Sequence, residues 1–125
     1  MEDINKKLKE LEIENFIWII YIIIIILSWY SNSLEKKYFL FNDLESKEKY
    51  RKILIIIFSV LIIVYLYFFN GAYKDLKNIK QTDSLKKKNL IYLSFVGSIL
   101  VAISGFIFLY IAYADENIDV EIAFN

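Results

Sequence analysis

The chain has no cysteine, no histidine and no proline, and only three glycines among its 125 residues. Without cysteine there is no disulfide and no thiol chemistry. Without histidine, and without a glycine-rich phosphate loop, the side chains that most often carry acid–base, nucleophilic or metal-assisted catalysis are missing. Charge is absent from three long stretches, Phe16–Tyr30, Ile53–Phe69 and Leu90–Ala114, which contain no Asp, Glu, Lys or Arg. Pumps and coupled transporters generally need ionisable groups inside the membrane, so coupled transport has no foothold here. Ser28, Ser59, Ser94, Ser98 and Ser104 lie in these stretches with no base beside them in sequence. Such serines usually bond back to their own helix or across to a neighbour. No catalytic, cofactor-binding or metal-binding residue is assigned, and an enzyme is not expected.

What is present is hydrophobicity. Apolar residues make up 58% of the chain. At about 1.5 Å per residue, the three uncharged runs reach roughly 22, 25 and 37 Å as helices, against a hydrocarbon core of about 30 Å. They are apolar all round, with no polar stripe to face water, which argues against a soluble bundle. The expected fold is an all-α integral membrane protein forming a single membrane domain over 1–125. Its spans are placed at about 16–34, 53–69 and 90–114, with charged connections at 35–52 and 70–89 and an acidic tail at 115–125. The first run is not read as a cleaved signal peptide, because acids outnumber lysines before it and no small-residue cleavage site follows.

Orientation is read from Lys and Arg in the connections. The N-terminal segment carries Lys6, Lys7 and Lys9, and the second connection carries Lys74, Lys77, Lys80, Lys86, Lys87 and Lys88. The first connection carries Lys36, Lys37, Lys47, Lys49, Arg51 and Lys52, and the tail carries none. Nine against six favours a multi-pass protein of the cell membrane with its N-terminus cytoplasmic and its C-terminus external. Trp18, Trp29, Tyr30, Tyr65, Tyr67, Tyr92, Tyr110 and Tyr113 sit mostly toward span ends, where aromatic belts form.

Local signals refine this plan. Ile4, Leu8 and Leu11 fall on one helical face and predict an amphipathic helix running into the first span. Asn42 with Glu45 three residues on has capping-box spacing, and predicts a second helix that begins before its apolar run. Asn70-Gly71 reads as a turn or C-cap after that run. Thr82, Asp83 and Ser84 offer N-caps for the third helix. Lys86, Lys87 and Lys88 stand at the start of the third run and are assigned to anionic lipid headgroups, each contributing about 1 kcal/mol of attraction.

In the third helix Ser94, Ser98, Ala102, Gly105 and Ala112 share one face, with Gly97 and Ser104 on the adjoining one. Small residues let helix backbones approach closely. The third helix is therefore expected to be the packing helix, with the first two facing lipid. On that reading Gly105→Leu should be more damaging than Leu61→Ala. The tail alternates, with Ile118, Val120, Ile122 and Phe124 on one side of an extended chain. It is a candidate strand for docking on a partner, with helical continuation or a frayed end as alternatives. Asp115, Asn117 and Asp119 match the first ligand positions of a calcium loop, but Val120 stands where that loop needs glycine.

These features suggest a small bacterial-type membrane protein that acts by protein interaction, as an accessory subunit or scaffold. The alternative is a homo-oligomeric pore or channel, including a holin-like one. The expected partners are the lipid bilayer and either a protein partner or further copies of the chain. No nucleic acid, small-molecule substrate or cofactor is inferred.

Overall fold

The computed structural model describes residues 2–122 of the chain. Three helices account for most of it: α1 (Glu2–Phe41), α2 (Leu44–Lys77) and α3 (Leu85–Ala114). No strand occurs among the described residues. Each helix contains a stretch long and apolar enough to cross a membrane. No proline interrupts any of them, so each ladder of backbone bonds runs unbroken along its helix. The chain divides into two compact units, Met1–Ile53 and Leu54–Asn125, with the boundary inside α2.

The first unit holds α1 and the first turns of α2. The amphipathic segment is helical as expected and continuous with the first span. Ile4, Leu8 and Leu11 remain exposed along it. Burial in α1 is confined to Ile17, Ile24, Ser31 and Leu34, the first three seven residues apart and therefore in one narrow stripe. Ser31 is fully buried, and its hydroxyl donates to the Ser28 carbonyl at 2.7 Å. Beyond the expected end near residue 34, α1 continues to Phe41, so the apolar residues Tyr38–Phe41 are helical.

The link to α2 is two residues long and corrects the expected cap. Asn42 adopts φ 52°, and its N–H donates to the Tyr38 carbonyl at 2.8 Å. It therefore closes α1 in the left-handed conformation that asparagine tolerates. The N-cap of α2 is Asp43, whose carboxylate accepts from the Glu45 N–H at 3.2 Å and the Ser46 hydroxyl at 2.8 Å. These bonds hold the Asp43 carboxyl below its ordinary range, the Ser46 hydroxyl contributing most.

The second unit holds the rest of α2, α3 and the tail. Leu54, Ile57, Phe58, Leu61, Ile62 and Val64 of α2 are buried, whereas α3 buries only Gly105 and Ala112. A third of the most apolar α2 window is buried, against 17% of that in α3 and 11% of that in α1. The expectation that α2 faces lipid is thus overturned, while Gly105 and Ala112 of the expected α3 packing face are buried. An isoleucine-rich helix is equally soluble in lipid and in a protein core, so composition alone does not say which one surrounds it.

Contacts between α2 and α3 are aromatic and close. Phe58 meets Phe108 at 5.7 Å between ring centroids, and Phe69 and Tyr73 both meet Phe95, at 5.5 and 6.2 Å. Tyr73 also stacks on Phe69, and Ala72 is buried. This packing accounts for a second correction. Rather than turning at Asn70-Gly71, α2 continues two turns further to Lys77. No glycine takes a positive φ. A weak local stop signal has been overruled by tertiary contacts on its far side.

Candidate functional surfaces

The small-residue face of α3 splits into two parts. At Gly105 a Cβ would lie 3.0 Å from Tyr65 Cδ2 and 3.2 Å from Ile62 Cγ1, so α2 side chains press directly on the α3 backbone. Ala112, two turns on, is also buried. Toward the start of the helix the same face opens. Ser94 is exposed, while Ser98 and Ala102 are half-buried. On the adjoining face, nothing lies within 4 Å of the Cβ position of Gly97. The Ser98 and Ser104 hydroxyls donate to the carbonyls of Phe95 and Val101, each at 2.7 Å. Back-bonding of this kind satisfies a serine inside an apolar span without a partner helix. Most belt aromatics point outward, including Trp18, Trp29, Tyr92, Tyr110 and Tyr113. Tyr65 is the exception, half-buried with its ring laid on Gly105.

The connection between α2 and α3 forms a short, ordered boundary. Ser84 is the N-cap of α3, and its side chain accepts from the Lys87 N–H at 3.1 Å. Asp83 folds back across the turn, accepting from the Lys80 N–H at 2.9 Å and from Lys87 Nζ at 3.1 Å. The Lys80 bond and then the Lys87 ammonium hold the Asp83 carboxyl below its ordinary range. Lys77 Nζ lies 5.0 Å from the Tyr73 ring centroid, within cation–π range. Of the three lysines assigned to headgroups, Lys86 and Lys87 are exposed and Lys88 is half-buried. Lys87 is partnered with Asp83, while Lys86 has no ion pair among the described residues.

Between these two helix ends lies a cleft of about 330 Å³, lined by Ala72 and Asp75 of α2 and by Ser84, Lys86, Leu90 and Ser94, with Lys87 and Ile91 completing it. Nothing in the linear pattern marked Asp75 as part of a site. It is an acid eleven residues from Lys86, and only the unexpected extension of α2 carries it to the lip of the cleft.

The tail leaves the helix at Asp115, whose N–H still donates to the Ile111 carbonyl at 2.9 Å. The Asp115 carboxylate then accepts from the backbone N–H groups of Asp119 and Val120, at 2.9 and 2.8 Å. Ile118 takes φ 55° inside this turn. Residues 115–120 are therefore a carboxylate-closed turn, not an extended strand or a further helical turn. The expected alternation does not sort by side: Ile118 is half-buried, Val120 exposed and Ile122 buried. Phe124 lies outside the described residues. Each Asp115 oxygen thus accepts from one amide of the turn. No group of three Asp, Glu, His or Cys placed to hold a metal ion occurs among the described residues.

No family model matches the chain, and neither curated proteins nor solved structures include one similar to it.

Proposed function

We propose that this protein works by association within a membrane, as an accessory subunit or scaffold without catalysis. The observation that carries this reading is the open half of the α3 small-residue face. Gly105 packs under Tyr65 and Ile62 and Ala112 is buried, while Ser94 on the same face and Gly97 on the adjoining one are left uncovered. In lipid there is no hydrophobic force between helices, and a small, uncovered face is what permits a second helix to approach. The arrangement of charge fits the same reading, since no Asp, Glu, Lys or Arg lies within the three apolar runs.

The test is the mass of the purified complex in mild detergent, compared with that of a Gly97→Leu variant. An assembly with a partner or with further copies, lost in Gly97→Leu while helicity is retained, supports association through this face. A wild-type protein of monomeric mass with no bound partner overturns it. Membrane potential is measured alongside in cells expressing the protein. Association predicts that the potential holds, and collapse on expression would indicate the pore instead.

A further inference from the structure

We propose that the cleft between the end of α2 and the start of α3 seats a zwitterionic phospholipid headgroup, the phosphate at Lys86 and a primary ammonium at Asp75. This does not rest on the association reading: only Ser94 is shared with the open face of α3, and the charges of Lys86 and Asp75 carry it.

Position along the helices comes first. The uncharged run of α3 begins at Leu90, and Lys86 stands four residues before it, about 6 Å along the axis. On α2 the uncharged run ends at Phe69, and Asp75 stands six residues beyond, about 9 Å. Leu90, Ile91 and Ser94 form one wall on the apolar side of this level, and Ser84, Lys86 and Asp75 line the polar side. The cleft thus straddles the level at which a headgroup meets its acyl chains. Beside it Phe69, Tyr73 and Phe95 make the aromatic cluster expected at that depth.

Charge decides the occupant. Lys87 is held by Asp83. Lys86 and Asp75 face the same space, and neither has an ion pair among the described residues. A purely anionic headgroup satisfies Lys86 but sets its negative charge against Asp75. A phosphoethanolamine headgroup carries phosphate and ammonium two carbons apart and meets both. Its ammonium also donates hydrogen bonds to the carboxylate, which a quaternary choline does not. At about 330 Å³ the cleft lies at the small end of the ligand-pocket range, suited to a headgroup and glycerol rather than a whole lipid.

The experiment is native mass spectrometry of the detergent-purified full chain. It is titrated with phosphatidylethanolamine, phosphatidylglycerol and phosphatidylcholine bearing the same acyl chains. Wild type is expected to retain phosphatidylethanolamine over both others. Asp75→Asn should lower the preference over phosphatidylglycerol by about threefold, the scale of one exposed ion pair, with Asp75→Glu preserving it. Lys86→Gln should weaken retention of all three lipids. Both side chains are exposed, so the variants should keep wild-type helicity, checked by circular dichroism. Equal or stronger retention of phosphatidylglycerol by wild type overturns the proposal, as does an Asp75→Asn ratio equal to that of wild type. Displacement of the lipid by soluble phosphoethanolamine overturns its lipid form, because the apolar wall would then contribute nothing.

Discussion

Replacing Gly105 with leucine tests the α2–α3 contact directly. A Cβ alone would stand 3.0 Å from Tyr65 Cδ2 and 3.2 Å from both Tyr65 Cε2 and Ile62 Cγ1. Three further carbons must then enter space that Ile62 and the Tyr65 ring already occupy. Overpacking of this kind costs about 1–3 kcal/mol. The gain in helix propensity on replacing glycine offsets at most about 1 kcal/mol. Gly97→Leu makes the same chemical change on the same helix where nothing lies within 4 Å, so the propensity terms cancel between the two variants. What remains is the steric term, a difference of roughly 5- to 150-fold in the folding equilibrium. The assay is denaturant titration in mixed micelles, followed by the helical circular dichroism of the purified variants. Gly105→Leu should unfold earlier than wild type and earlier than Gly97→Leu. Adding Tyr65→Ala to Gly105→Leu should recover part of the loss, because two of the three close atoms belong to that ring. Equal shifts for the two leucine variants would refute the reasoning.

Three further outcomes follow from the geometry. Leu61 is 1% exposed, so Leu61→Ala should cost about 2–5 kcal/mol in the same titration, at least as much as Gly105→Leu. Ser84→Ala removes the α3 N-cap bond to Lys87 and should cost about 1 kcal/mol, with Ser84→Asp largely neutral. The third concerns pH. The Asp83 carboxyl is depressed below its ordinary 3.8, so its contribution is fully present above that value and is lost as pH falls through the lower folded-state value. Hydrogen exchange at 78–84, corrected for the intrinsic rate, should therefore accelerate below pH 3.8 in wild type. Asp83→Asn should exchange faster at neutral pH and show no such transition.

The three spans were legible because a membrane helix must exclude charge over its whole length, and the uncharged runs do so. The N-cap of α3 was legible among three adjacent candidates, because the cap is a local bond. The α2 cap was misplaced by one residue. Asn42 and Asp43 are both good caps in isolation, and the positive φ that commits Asn42 to closing α1 is a property of the turn between the helices. The end of α2 was misplaced by two turns for a different reason. Asn70-Gly71 signals a stop, and the packing of Tyr73 that carries the helix past it involves Phe95, twenty-two residues away. That extension of α2 is also what brings Asp75 beside the lysine cluster. The alternation of the tail was real in sequence, but Asp115 offers its carboxylate to the backbone locally, and that turn forms without the partner a strand would need.

The two-residue link between α1 and α2 limits where this chain can be interrupted. Residue 42 must adopt a left-handed conformation and residue 43 must cap a helix, so neither position can accept an inserted sequence without losing one of those roles. The turn at 115–120 is likewise closed by bonds to a single carboxylate. An affinity tag or fluorescent reporter placed inside the chain therefore has one natural entry among the described residues, the stretch just after Asn78 and ahead of the Lys80–Asp83 bond. A topology map built on internal reporters would sample that side of the membrane far more easily than the other, and the opposite face is better probed by labelling single side chains than by insertion.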